Sequence, residues 1–282
     1  MIKVLVLSAE QDPLPLSRYL WQAGVRHRIL LDEQSGGHAL WLLEPNQMPE
    51  LRTALARWEQ GEPVLRQPRP ALWSQALKAF NRRPVTLTLM GFAVMVTLAF
   101  EKLLGPGVFF LLSFTPMAIQ GGQLISLPLT ETLSTGQWWR LVTPIFLHFG
   151  WMHLVFNLLW VWVLGEVIER QQGHVRLLMI VLVAAVLSNA AQFLINGSSQ
   201  FGGLSGVVYA YLGYTWLWDR RHPDQALGLP NALVVFMLGW MLLGMLPMSA
   251  SLGLNMANEA HLGGLLTGLL LALLPRKMQR NG

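Results

Sequence analysis

From Val85 onward, long apolar runs alternate with short polar breaks, and this rhythm limits the possible folds more than any other feature of the 282 residues. Six runs can be marked, at residues 85–100, 149–168, 177–195, 206–218, 231–246 and 260–274. A helix needs about 20 mostly apolar residues to cross a bilayer. The fourth run is clearly short, so it either thins the bilayer or sits with one end recessed in protein and water, and the second arrangement would suit a buried active site. Charge is also scarce: Asp, Glu, Lys and Arg make up 12% of the chain, about half of the roughly 25% usual in soluble domains. The expected fold class is therefore an all-α polytopic membrane protein with a bundle of six transmembrane helices, and the lipid bilayer is its first partner.

The amino-terminal sixty residues read differently. Ile2 to Leu7 is β-rich, Leu14 to Ala23 has helical spacing, Val25 to Leu31 and Ala39 to Leu43 read as strands, and Met48 to Gln60 reads as an amphipathic helix. This predicts a small α/β domain in β-α-β-β-α order. Glu10 and Asp12 interrupt the opening run too early for a signal peptide. Pro63, Pro68 and Pro70 then mark a linker leading into a possible interfacial helix from Trp73 to Phe80. The expected division is 1–62 for a cytoplasmic α/β domain, 63–84 for the linker and interfacial segment, 85–275 for the transmembrane domain and 276–282 for a basic tail. Residues 101–148, broken by Gly105, Pro106, Gly107, Pro116, Gly121, Gly122, Pro128 and Gly136, read as a structured interfacial loop instead of a seventh span.

Basic residues set the expected orientation. With the amino terminus inside, the inner connections hold Arg82, Arg83, Arg170, Arg176, Arg220, Arg221, Arg276, Lys277 and Arg280, and the outer ones hold Lys102 and Arg140. That asymmetry predicts both termini in the cytoplasm. It also accounts for the net charge of +5, so nucleic acid is not expected as a partner. The chain has no cysteine, which excludes thiolate metal sites, disulfides and a cysteine nucleophile.

In a six-span bundle, segments two, four and six all run from outside to inside. Their openings share one level and bring together His148, His153 and Asn157, then Gly202-Gly203-Leu204-Ser205-Gly206, then Asn258-Glu259-Ala260-His261. Ionisable groups in a membrane are costly, so such a cluster marks a candidate functional site. A serine between glycines also serves in turns and close packing. Here, however, it opens a helix, where free N–H groups favour a developing negative charge. A lone histidine in an apolar helix is often structural. Yet Gly264 and Gly268 share a face with His261, and small residues at that spacing admit a neighbouring helix. If the neighbour is the fourth segment, with its small Gly206 and Ala210, Ser205 and His261 meet, and the imidazole can take the serine proton.

His153 and Asn157, four residues apart, share a helix face suited to holding an oxyanion. A metal site of His148, His153 and His261 is a rival reading, although the histidine-glutamate helix motif of metalloproteases is missing. The aspartates Asp12, Asp32, Asp219 and Asp224 lie outside the spans, which argues against aspartyl chemistry. Glu259 should project away from His261, and Glu166 and Glu169 lie toward the cytoplasmic end of segment two. A dyad is therefore expected, not a triad. Tyr209, one turn after Ser205, could stack on the imidazole or simply pack. A protein that binds and escorts transmembrane segments, and a transporter, are the non-catalytic alternatives.

Taken together, Trp139-Arg140, His153 with Asn157, Gly203-Leu204-Ser205-Gly206, and Ala260-His261 with Gly264 and Gly268 resemble the rhomboid intramembrane serine proteases, in particular their bacterial GlpG type. The resemblance runs from about Arg82 to Arg276 and extends to the small amino-terminal domain. It implies a serine endopeptidase of the bacterial inner membrane that cuts transmembrane helices of other proteins. It implies a Ser205–His261 dyad, an oxyanion site of His153, Asn157 and the Ser205 N–H, and Tyr209 packed on His261. It also implies that Trp139 and Arg140 shape the first loop, Phe156 and Trp240 form a lateral gate, and residues 247–258 cap the cavity. No cofactor or metal is implied, and a homodimer is possible. Glu259 departs from the small residue expected at its position.

Overall fold

The computed structural model describes residues 1–32, 35–63, 72–246 and 256–274, the side chains of 72–76 excepted. The linker prolines Pro68 and Pro70, residues 247–255 of the expected cap and the basic tail lie outside the described residues. The chain divides into two compact units, Met1–Gln75 and Ala76–Gly282. The expected boundaries at residues 62 and 84 are finer than this division.

The first unit runs β1 (Ile2–Leu7), α1 (Leu14–Gln22), β2 (His27–Leu31), β3 (His38–Leu42) and α2 (Met48–Glu59). β3 lies between β1 and β2, antiparallel to both. Alternation along β3 turns Leu40 and Leu42 inward, where they meet Leu16, Tyr19 and Leu20 of α1 and Leu51 and Ala54 of α2 in one apolar core. The buried His27 ring is satisfied locally, with one nitrogen 2.9 Å from Ser17 Oγ and the other 2.9 Å from the Val25 carbonyl. The division between the units falls within α3 (Leu72–Arg82).

In the second unit, α4 (Pro84–Leu98) continues through a π turn to Leu103. α5 (Pro106–Leu112), the hairpin β4 (Met117–Gln120) and β5 (Gln123–Ser126), and α6 (Leu129–Ser134) follow. α7 (Trp151–Trp160) passes through a π turn into α8 (Glu166–Gln172), and α9 (His174–Asn196), α10 (Ser205–Arg221), α11 (Asn231–Met245) and α12 (Asn258–Leu271) complete the unit. Among the described residues, three helices are long and apolar enough to cross a membrane: Pro84–Leu103, Trp151–Gln172 and His174–Asn196, of 20, 22 and 23 residues. The second and third extend beyond the apolar runs at residues 168 and 177 into polar residues, of which Glu169, His174 and Arg176 are hydrogen-bonded. The segment from 104 to 150 holds no long apolar helix. Its glycine pair Gly121-Gly122, with φ of +58° and +78°, makes the tight turn of the β4–β5 hairpin.

α10 is the axis of this unit. Every residue from Gly206 to Thr215 is buried, as expected of a helix that is apolar on all sides and covered all round. A second organising contact lies at the start of α4. Pro84 supplies no N–H, and the next two amides, Val85 and Thr86, donate to the Glu169 carboxylate of α8 at 2.8 and 2.9 Å. Thr86 Oγ1 adds a 2.6 Å bond to the same group, and His174 Nδ1 lies 2.8 Å from it. The Glu169 side chain is fully buried. Arg83 pairs with Glu166 one turn earlier at 2.7 Å.

Removing the Glu169 carboxylate strands two amides and a hydroxyl away from water. Glu169→Ala should lower the unfolding free energy in mild detergent by about 3 kcal/mol or more, and Glu169→Gln by less, as read by denaturant titration.

Candidate active site

The segment leading into α10 is held in place by its glycines. A Cβ on Gly202 would come within 2.6 Å of Leu147 Cβ and 2.9 Å of the Pro144 carbonyl. Gly203 has φ of +116°, and a Cβ there would sit 2.7 to 2.8 Å from the His153 ring and 3.4 Å from Asn157 Nδ2. Both steric demand and backbone conformation therefore require glycine at 203. The Gly203 N–H donates to the Pro144 carbonyl at 3.0 Å. The next N–H, of Leu204, donates to His148 Nε2 at 3.4 Å. Ser205 follows as the first residue of α10.

Small residues set the approach of α12 to α10. A Cβ on Gly264 would land on the Gly206 carbonyl, and one on Gly268 on the Ala210 carbonyl. The two backbones touch at these points. On its other side, Gly206 faces Ser188 of α9, whose Oγ would be 2.5 Å from an added Cβ. The start of α12 is pinned by polar side chains: Gln192 Oε1 accepts the Ala260 N–H at 3.0 Å, and Asn258 Nδ2 donates to the Gly244 carbonyl at 2.8 Å.

This packing brings His261 Nε2 to 2.8 Å from Ser205 Oγ. His261 is buried. The Tyr209 ring lies 4.8 Å from the imidazole at 34°, and its hydroxyl donates to the Met237 carbonyl at 2.9 Å. Among the described residues, His261 Nδ1 has no hydrogen-bond partner. The Glu259 carboxylate instead accepts from Asn196 Nδ2 at 2.9 Å. For Nε2 to accept the serine proton, the imidazole must carry its own proton on Nδ1. His153 and Asn157 lie beside Gly203, two residues before the serine, and Asn157 Nδ2 donates to the His153 carbonyl at 3.1 Å. Among the described residues, no group of three His, Asp or Glu side chains is arranged to hold a metal ion.

The first-loop pair acts on backbone carbonyls. The nearly buried Arg140 donates through one nitrogen to the carbonyls of Phe110 and Ser113, at 2.8 and 2.9 Å, and through Nε to Gln137 at 2.7 Å. Trp139 Nε1 donates to the Leu111 carbonyl at 3.2 Å. Phe156 and Trp240 are both exposed. The ring contact between α7 and α11 is made by Trp160 and Phe236, 6.1 Å apart. Sequence reasoning missed Ser188 and Gln192. Their signal was a serine and a glutamine four apart on an otherwise apolar helix, where an unpaired polar group would be costly.

The chain matches the family models of the Rhomboid domain over residues 135–277 and of the Rhomboid N-terminal domain over residues 1–69. It is similar to the Rhomboid protease GlpG of Serratia proteamaculans, with 32% identity over 279 residues covering 96% of each chain. It is also similar to the proteins of that name from Photorhabdus laumondii, 47% identical over 135 residues, and Yersinia pestis, 46% over 136. Those two matches take in 48% of this chain and about half the length of the relatives, 46% and 48%. With its long apolar helices, the chain is an integral membrane protein.

His148, in the loop ahead of α7, is fully buried, and its Nδ1 lies 3.1 Å from the Phe146 carbonyl. Burial, reinforced by the neighbouring His153, lowers its pKa from 6.5 to about 4. The unfolded chain therefore takes up this proton first, so the His148 contribution to stability is intact above pH 6.5 and is lost as pH falls toward 4. The loss should total about 3 kcal/mol. The difference in pH dependence between wild type and His148→Gln, measured by denaturant unfolding, should isolate it.

Proposed function

This chain belongs to the rhomboid family, and we propose that it is an intramembrane serine endopeptidase in which Ser205 is the nucleophile and His261 its base. The 2.8 Å contact between Ser205 Oγ and His261 Nε2 carries this reading. Ser205 Oγ attacks the substrate carbonyl while His261 takes its proton and then returns it to the leaving amine. Water resolves the acyl-enzyme by the reverse route. His153, Asn157 and the Ser205 N–H hold the oxyanion, supported by the position of both side chains against Gly203 and of Ser205 in the first turn of α10. Tyr209, packed against the imidazole at 4.8 Å, holds its orientation, the task that a third polar residue performs in a triad.

Six helices span the membrane in this reading: Pro84–Leu103, Trp151–Gln172, His174–Asn196, Ser205–Arg221, Asn231–Met245 and Asn258–Leu271. The arginine asymmetry orients both termini to the cytoplasm, which puts the serine near the outer face of the bacterial inner membrane. Trp139 and Arg140 stiffen the first loop, and Phe156 and Trp240 border the lateral entry for substrate. Residues 1–62 form a cytoplasmic module joined by residues 63–84 to the protease domain at 85–275, with a basic tail at 276–282. A homodimer is compatible with this arrangement.

Substrates are transmembrane segments of other proteins. Within a helix the scissile carbonyl is hydrogen-bonded and shielded, so segments with Gly, Pro or small polar residues near the outer face should be cut fastest.

Cleavage of a transmembrane reporter in liposomes should fall at least about a thousandfold for Ser205→Ala and for His261→Ala, with folding unchanged. His153→Ala and Asn157→Ala should each lower kcat by about 10²–10³. A serine-reactive fluorophosphonate should label the wild type and not Ser205→Ala. Turnover retained by either dyad variant would refute the assignment.

A further inference from the structure

The reaction described above makes no use of His148, yet this side chain bridges the loop ahead of α7 and the residue just before the serine. We infer that His148 is a positioning residue for Ser205, acting through the Leu204 amide. Two backbone-directed bonds define its role. Nδ1 lies 3.1 Å from the Phe146 carbonyl, which can only accept, so Nδ1 carries the proton. Nε2 is then an acceptor, and it faces the Leu204 N–H at 3.4 Å. A neutral imidazole in this one tautomer satisfies both contacts, and its burial removes water as a substitute partner.

The consequence for Ser205 is geometric. The peptide ahead of it is held at two successive amides, Gly203 to the Pro144 carbonyl and Leu204 to His148. Both holds belong to the 144–148 segment, while the packing of α10 against α12 fixes the other side of the serine. The titratable neighbour of His148 is His153, with ring centres 5.1 Å apart. The two imidazoles thus divide the work around Gly203 and Leu204, one turned to backbone and one toward the proposed oxyanion.

This inference rests on Ser205 being the nucleophile, and the test separates the two. Asparagine at 148 keeps a donor near the Nδ1 position and loses the acceptor for Leu204, whereas glutamine keeps an acceptor near the Nε2 position. Full-length wild type, His148→Asn and His148→Gln are compared in liposomes for kcat, KM, fluorophosphonate labelling rate and thermal stability. His148→Asn should lower kcat and labelling by about 10–100-fold with KM nearly unchanged, as a small misplacement of a reacting group does. His148→Gln should recover most of that rate. Equal rates in all three proteins, or losses that merely follow the folded fraction, would overturn the inference. Failure of the wild type itself to label would instead overturn the nucleophile assignment.

Discussion

Contact between two backbones, α10 against α12, is the constraint on which the rest of the second unit depends. Inside a bilayer, apolar side chains gain little by leaving lipid for protein, so helices associate where small residues allow close van der Waals packing. Gly264 against Gly206 and Gly268 against Ala210 meet that condition. Because the contact is made by main chain, its separation does not depend on rotamers. It fixes both the distance and the rotational phase of the two helices, and with them the relation of a hydroxyl on one to an imidazole on the other. A side chain larger than hydrogen at either α12 glycine would push the pair apart by more than a hydrogen bond tolerates.

Around that seam, the buried polar groups are paired with backbone more often than with one another. Gln192 takes the Ala260 amide, Asn189 Nδ2 reaches the Leu141 carbonyl at 3.0 Å, and Arg140 gathers first-loop carbonyls. Irregular chain within a membrane protein carries amides and carbonyls that a helix would have satisfied. Around residues 198–204 the preceding loops complete them: Ser126 Oγ accepts the Ser199 N–H at 2.8 Å, the Pro144 carbonyl that of Gly203 and His148 that of Leu204, which is how this glycine-rich, non-helical stretch can sit beside the serine.

The sequence reveals periodic features well and reciprocal ones poorly. The five elements of the first unit follow from alternation and helical spacing, because each is specified by its own residues. The apolar helices of the second unit are legible for the same reason, with ends shifted by a few residues. Glu169 looked like one more acid at the cytoplasmic end of a span, since nothing local announces that its partners are amides of α4. Glu259 was expected to turn from the histidine, and the structure adds that Asn196 holds it. His148 stood out as a histidine at the right level, but its tautomer and its hold on Leu204 depend on loop geometry that no periodicity encodes. Phe156 and Trp240 came from the resemblance and are both exposed, and Trp160 and Phe236 make a ring contact between the same two helices.

The carboxylate that caps α4 lies 84 residues further along the chain than the first amide it holds. At about 5–20 residues per second, a ribosome needs on the order of ten seconds to make that stretch. Throughout this interval the opening turn of the first span has amides without their final acceptor, and water or lipid headgroups must serve in its place. The nascent helix therefore gains its final acceptor only after the second long apolar helix has been made. The cap closes only when the end of that later helix emerges, so this one contact is made backward along the chain, from the younger segment to the older.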